Sequence, residues 1–186
     1  MSFIATRGLR RVDALNLTAD DIELDVLAHS LSQINRFTGH LDAPYSVAQH
    51  SVWVANKLEL MGANMNLQRA GLLHDGSESF LSDIPSPYKK LLPDYQALET
   101  TFQNMVYRAF NVSYLNDFSL LIYCDRLAGL TEARDLHPYD FNLLDWVEAQ
   151  KWDTVVKLQD KIEPLHWMDA KKKFLDKATA LQIKHI

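Results

Sequence analysis

The spacing of the apolar residues is the feature that most constrains the fold of this chain. In several long stretches apolar residues recur every three or four positions, as on one face of a helix. No stretch of useful length alternates β-branched and polar residues, as a half-buried strand would. Only six glycines and six prolines occur among the 186 residues. The pattern therefore predicts an all-α fold.

The predicted helices have recognisable ends. Thr18 can cap a first helix that ends near Gly39, and Ser46-Val47-Ala48-Gln49 has the arrangement of a capping box at the start of the second. Further helices are predicted over 67–74, 95–110, 118–136, 147–158 and 170–183. The two prolines of Ile84-Pro85-Ser86-Pro87 predict a surface loop. We expect a bundle of six or seven helices in a single domain, residues 1–186.

Composition narrows the classes of function. Apolar residues make up 47% of the chain, enough for a sizeable core, and the net charge of −5 comes without a basic block, which argues against polymeric DNA or RNA as a partner. The single cysteine, Cys124, excludes an intramolecular disulfide and a multi-cysteine metal site. No apolar run approaches the roughly 20 residues that span a bilayer, and the N-terminus lacks the apolar core of a signal peptide. We expect a cytoplasmic protein.

Four residues are candidate metal ligands: His50, the adjacent pair His74-Asp75, and Asp125. Imidazole and carboxylate together suit divalent ions such as Mn²⁺, Co²⁺, Fe²⁺ or Zn²⁺. Taken singly, each histidine is more often a hydrogen-bonded structural residue than a ligand. Asp125 lies among apolar neighbours and needs a strong partner, which is either a metal ion or the adjacent Arg126.

The order of these residues and the short segments around them resemble those of the HD-domain metal-dependent phosphohydrolases. Residues 36–40 (RFTGH), 44–51 (PYSVAQHS), 72–78 (LLHDGSE) and 83–87 (DIPSP) are similar to segments of small nucleotide hydrolases from bacteria and bacteriophages. These include 5′-deoxynucleotidases and phage dATP triphosphohydrolases. The resemblance covers about residues 35–135 and implies an HD-domain helical bundle.

The resemblance also implies which residues bind the metal ion and which transfer protons. His50, His74, Asp75 and Asp125 would hold one divalent ion, either Co²⁺, Mn²⁺, Zn²⁺, Fe²⁺ or Mg²⁺. Glu78 matches the glutamate beside the attacking water, and its alternative is a surface or capping glutamate. Asp83 matches the second acidic residue, near the leaving O5′, where a protonated carboxyl acts as general acid. Its alternative is a cap on the proline turn.

Three further residues match substrate-binding positions of the same family. Arg36 matches the phosphate-binding arginine, with a surface salt bridge as its alternative. Lys89, next to Lys90, lies where a lysine of the triphosphohydrolases binds outer phosphates, although solvent exposure explains two loop lysines equally well. Phe37 stands where relatives tend to carry a tryptophan that excludes the ribose 2′-hydroxyl.

The function that this resemblance implies is hydrolysis of a small nucleotide, with a homo-oligomer as the usual assembly. The preferred reaction is that of a deoxynucleoside triphosphohydrolase, with dATP as a candidate substrate, releasing deoxynucleoside and triphosphate. The alternative is a 5′-deoxynucleotidase that releases orthophosphate from a monophosphate. A phosphodiesterase of signalling nucleotides and a nucleotide-binding HD protein without turnover are the remaining alternatives.

Overall fold

The fold was described from a computed structural model, which covers residues 3–7, 11–13, 16–113, 117–137, 142 and 161–185. The described elements are mostly helical, which confirms the all-α prediction. They are β1 (Phe3–Ala5), β2 (Arg11–Asp13), α1 (Leu24–Gln33), α2 (Val47–Leu60), α3 (Met65–Leu73), α4 (Glu78–Leu81), α5 (Ser86–Lys89), α6 (Pro93–Ala109), α7 (Ser119–Leu136) and α8 (Trp167–Ala180). Two 3-10 turns, Ala19–Asp21 and Arg36–Gly39, flank α1.

Helix α2 is the central element of the bundle. It packs against α1, α3, α7 and α8, so it buries more than one face. Its buried positions include polar as well as apolar residues: Val47, Ala48, His50, Ser51, Val52, Val54, Ala55 and Leu58. The core therefore surrounds a histidine, which needs polar partners to be stable there.

The first helix begins later and ends earlier than predicted. Thr18 does cap a turn, because its backbone N–H and its hydroxyl both donate to the Asp21 carboxylate, but that turn is only the 3-10 segment Ala19–Asp21. Ile22 then adopts an extended conformation and is fully buried, which interrupts the helix. At the other end, extended Ile34 terminates α1 before the second 3-10 turn.

The start of α2 is confirmed, with one correction to its capping box. The Ser46 hydroxyl accepts the Gln49 backbone N–H at 3.2 Å, as an N-cap does. The Gln49 side chain does not return to Ser46. Instead it donates to the Glu163 carbonyl at 2.7 Å and accepts the Leu165 N–H at 2.9 Å, which ties the chain before α8 to α2.

The remaining predictions differ from the structure mainly in their boundaries. Helices α3, α6, α7 and α8 lie within three residues of the predicted starts and ends. The segment after Asp83 is extended only as far as Pro85, and α5 then begins at Ser86, with Pro87 in its first turn, where a missing N–H costs nothing. The predicted helix over 147–158 lies outside the described residues. The β1–β2 hairpin, which pairs Ile4 with Val12, was not predicted.

None of the described helices combines the length and the hydropathy that a bilayer crossing requires.

Candidate metal centre

Three predicted ligands from three different helices meet at one point. His50 comes from α2, His74 directly follows α3, and Asp125 comes from α7. The Nε2 atom of His50 lies 3.2 Å from Nε2 of His74 and 3.1 Å from Oδ1 of Asp125, and the distance from His74 Nε2 to the same oxygen is 3.8 Å. Donors bound to one ion at about 2.1 Å are separated by roughly 3.0 to 3.4 Å. This cluster can hold a metal ion.

Asp75 lies beside the same two histidines. Its Oδ2 atom is 3.2 Å from Nε2 of His74 and 3.5 Å from Nε2 of His50. It also lies 3.7 Å from the guanidinium of Arg36. The side chains of His74 and Asp75 therefore lie close to each other and to His50 at the end of α3.

The outer nitrogens of both histidines have acceptors. Nδ1 of His74 lies 2.8 Å from the carbonyl oxygen of Gly71, and Nδ1 of His50 lies 2.6 Å from Oε1 of Glu132. A carbonyl or carboxylate at this distance keeps a proton on Nδ1, so the neutral form of each imidazole has its lone pair on Nε2. The donor set therefore fits a divalent ion of the nitrogen- and oxygen-binding kind.

Glu132 is the residue of the site that the sequence analysis missed. It is fully buried on α7, where its Oε1 atom meets His50 and its Oε2 atom accepts from Nε of Arg36 at 2.8 Å. One signal was available: Glu132 lies seven residues after Asp125, two helical turns along the same face, in a run of apolar residues. A carboxylate there needs buried partners as much as Asp125 does.

This network sets the charges of its members. Burial and Arg36 lower the pKa of His50, but Glu132 and Asp125 outweigh them and raise it to about 10. Burial raises the pKa of Glu132, yet Arg36 and His50 hold it below its usual value. Asp125 is also held well below its usual pKa, because hydrogen bonds with His50 and His74 outweigh burial. An ion that binds His50 Nε2 must therefore displace a proton, so its affinity rises with pH.

A cavity of about 370 Å³ opens beside the cluster. Of the nine residues singled out from the sequence, seven line it, and the other two, His50 and His74, contact Asp75 and Asp125 in its wall. The lining residues are Arg36, Phe37, Asp75, Glu78, Asp83, Ile84, Pro85, Ser86, Pro87, Lys89, Asp125, Arg126 and Gly129.

Glu78, at the start of α4, and Asp83, between α4 and α5, line this cavity. Basic partners compensate the charges of these two carboxylates poorly. Glu78 is buried, and its Oε2 atom has no hydrogen-bond partner among the described residues. Burial, together with Asp75 and Asp83, raises the pKa of Glu78 well above its usual value. Burial also raises the pKa of Asp83, although Arg36 opposes it. Glu78 is therefore not the surface glutamate of its alternative.

Two further basic residues of the cavity lining, Lys89 and Arg126, differ in whether acidic partners compensate their charge. Lys89 contacts Oε1 of Glu99 at 2.5 Å and Oε1 of Glu78 at 3.5 Å, so its charge is already compensated. Arg126 is exposed at the cavity wall and makes no hydrogen bond or ion pair within the described part of the chain. It is therefore not the partner of Asp125.

Phe37 follows Arg36 in an unusual backbone conformation. Phe37 and Thr38 both have positive φ values, 53° and 51°, in the left-handed region that residues other than glycine rarely adopt. The Phe37 ring packs edge-on against His137, with ring centroids 5.0 Å apart, and the Arg36 guanidinium lies 5.8 Å from its centroid. This turn places the Arg36 guanidinium and the Phe37 ring next to each other in the cavity lining.

Two known proteins are similar to this chain over most of its length. Over 161 residues it is 35% identical to YfdR of Escherichia coli strain K12, an alignment that covers 85% of this chain and 87% of the relative. The chain belongs to the YfdR family. The alignment omits about 28 residues, fewer than precede Arg36 or follow Glu132, so it extends through the segment that carries the candidate site of this chain.

A second relative is more distant. An uncharacterized protein of Rhodobacter capsulatus is 29% identical over 141 residues, which cover 67% of this chain and 72% of that protein. No family model matches the chain. YfdR is also named only as an uncharacterized protein, so membership of the YfdR family brings no activity with it.

Proposed function

We propose that this protein is an HD-type, metal-dependent phosphohydrolase that cleaves the 5′-phosphate ester of a deoxynucleotide. The observation that carries the proposal is the convergence of His50, His74 and Asp125 in the wall of a cavity that also contains Arg36 and Glu78. These groups combine a cation site, an anion-binding guanidinium and a proton acceptor, which together are the requirements of phosphate ester hydrolysis.

A bound divalent ion would polarise the phosphate and lower the pKa of a water molecule. His50, His74, Asp75 and Asp125 would hold that ion. The unpaired Glu78 oxygen faces the same cavity and accepts the proton of the attacking water once Glu78 is ionised.

Two other residues of the cavity, Arg36 and Asp83, bind the phosphate and protonate the leaving group. Arg36 is anchored by Glu132 through Nε, and its Nη1 lies 3.7 Å from Asp75. Its guanidinium lines the cavity, where its planar donors suit phosphate oxygens. Asp83 keeps its proton to higher pH than an exposed aspartate and donates it to the departing O5′.

The length of the phosphate chain is the open choice within this proposal. The sequence favours a triphosphate because of Lys89, yet Lys89 contacts both Glu78 and Glu99. This pairing favours a monophosphate, the 5′-deoxynucleotidase reaction. The exposed Arg126 is a cation on the cavity wall that suits the outer phosphates of a triphosphate, so that reaction stays a candidate.

A product-resolved assay tests the proposal. The purified protein is incubated with each dNTP, dNMP and matching ribonucleotide in Mn²⁺, Co²⁺ or Mg²⁺, and the products are separated by ion-pair chromatography. Triphosphate with deoxynucleoside indicates the triphosphohydrolase, and orthophosphate from monophosphates alone indicates the nucleotidase. His74→Ala, purified in parallel, controls for contaminating phosphatases. Absence of turnover in a metal-loaded protein would contradict the proposal and favour a signalling nucleotide or a binding function.

The implied assembly and compartment belong to the same proposal. We propose a homo-oligomer in the cytoplasm, and light scattering after size exclusion measures the first of these directly.

A further inference from the structure

Helix α6 presents one face to the segment that carries the candidate site. Tyr95, Glu99, Gln103 and Val106 are spaced by three or four residues and so share that face. The Tyr95 hydroxyl donates to the Ser82 carbonyl at 3.0 Å, and Glu99 pairs with Lys89. The remaining two residues contact the turn that contains His74 and Asp75.

Gln103 bridges the two ends of that turn. Its Nε2 atom donates to the carbonyl of Leu73, the residue before His74, at 2.7 Å. Its Oε1 atom accepts the backbone N–H of Ser77, two residues after Asp75, at 3.1 Å. A glutamine amide carries a donor and an acceptor on one rigid plane, so it can satisfy both groups at once.

The close approach of α6 to the turn explains why Gln103 reaches it. A Cβ atom added to Gly76 would lie 2.6 Å from Cγ1 of Val106, a distance that no side chain tolerates. Glycine at this position lets α6 pack directly on the backbone of the turn. Helix α6 therefore holds the five-residue segment from Leu73 to Ser77 through two separate contacts, one at Gly76 and one through Gln103.

We propose that Gln103 is a positioning residue that holds His74 and Asp75 in the orientation that binds the metal ion. The inference rests on the proposed function for the identity of these two residues as ligands. His74 has its own hydrogen bond to Gly71, but the backbone of the turn decides whether Asp75 points to the same ion. Partners of this kind, outside the ligand set, change metal affinity by about 10- to 100-fold.

The test compares two neighbouring amide residues of α6. Gln103→Met keeps the length of the side chain and removes both hydrogen bonds. Asn104→Leu is the matched control, because Asn104 is exposed and makes no hydrogen bond within the described part of the chain. Mn²⁺ affinity is measured by calorimetry, and the visible spectrum of the Co²⁺-loaded protein reports on ligand geometry.

We expect Gln103→Met to bind Mn²⁺ about 10-fold more weakly and to change the Co²⁺ spectrum, while Asn104→Leu matches the wild type. Equal affinity and equal spectra for the two variants would overturn the inference and leave the proposed function standing. A wild-type protein that binds no metal would overturn both.

A second variant guards against loss of folding. Gln103→Glu retains the acceptor for the Ser77 N–H and lacks the donor for the Leu73 carbonyl. Measured in high salt, where its added charge is screened, it should also bind Mn²⁺ more weakly than Asn104→Leu does. Unchanged affinity in this variant would count against the inference in the same way.

Discussion

The two sides of the candidate site, the ligand side with Asp125 and Glu132 and the loop side with Glu78 and Asp83, shift the pKa values of their carboxylates in opposite directions. On the ligand side, burial raises the pKa of Asp125 and Glu132, but histidine and arginine partners outweigh burial and hold both values low. On the loop side, burial raises the pKa of Glu78 and Asp83, and their partners do not compensate it. One fold thus favours the charged form of two carboxylates and the protonated form of two others.

Removing a ligand should have the largest effect. Asp125→Ala takes away one of three clustered donors, so we expect Mn²⁺ affinity to fall by more than about 100-fold and turnover to reach background. Calorimetry and the chromatographic assay measure the two losses. Asp94→Asn, on an exposed aspartate outside the cavity, is the control. Turnover that survives without metal in Asp125→Ala would remove the distinction between the two sides.

Glu78→Gln should abolish proton exchange and spare the ion. We expect turnover to fall by about 10² to 10⁴ while Mn²⁺ affinity stays within a few-fold of wild type. A parallel loss of metal would move Glu78 to the ligand side and contradict the comparison. A variant as active as wild type would exclude Glu78 as the base.

The same variant tests the raised pKa of Glu78 through stability. A carboxyl with a raised folded-state pKa binds more protons folded than unfolded, so stability falls as pH rises above its unfolded pKa. Glutamine removes this penalty. In EDTA, Glu78→Gln should melt a few degrees above wild type at pH 8, and the difference should vanish near pH 4. A constant difference across this range would show that ionisation is not its cause.

Glu132→Gln should have an intermediate effect on the ligand side. The amide retains an acceptor for His50 and places its donor against Arg36, and we expect Mn²⁺ affinity to fall about 10- to 100-fold. Glu163→Gln, whose exposed side chain pairs with Lys161, is the control. An affinity equal to that of the control would limit Glu132 to a structural partner of Arg36.

Lys89→Met should have the smallest effect. Lys89 lowers the pKa of Glu78, so its removal should shift the lower limb of the pH–rate profile towards higher pH. Because Glu99 and Glu78 already pair with Lys89, we expect KM for dNTP and dNMP to change alike. A selective rise in KM for dNTP would show that Lys89 leaves these carboxylates to bind outer phosphates.

Local patterns in the sequence were enough to predict much of the fold. The apolar pattern located α3, α6, α7 and α8; α6 and α8 bury one stripe each, whereas α3 and α7 bury several consecutive residues. It failed at the first helix, where the extended conformations of Ile22 and Ile34 depend on tertiary packing rather than on local propensity. The small β1–β2 hairpin was missed for the same reason, since three-residue strands carry no readable alternation.

The candidate site divides along a similar line. His50, His74, Asp75 and Asp125 were found because they are imidazole and carboxylate groups in an order that resembles the HD-domain phosphohydrolases, and because Asp125 lies among apolar neighbours. The partners of these residues were less visible: Glu132 meets Arg36 from 96 residues away, and Gln103 meets Leu73 from 30 residues away. Such pairings depend on how helices pack, which single-sequence periodicity does not determine.

Asp125 and Glu132 share one unbroken helix, and this restricts how the gene can change. A single codon inserted or deleted between them would rotate one carboxylate by about 100° relative to the other and separate the ion from its support. Substitutions between them that keep the helix intact are tolerable, but length changes are not. The six-residue interval therefore offers a search signature: relatives that perform the same reaction should keep a buried acid at this spacing, however far the rest of their sequences diverge.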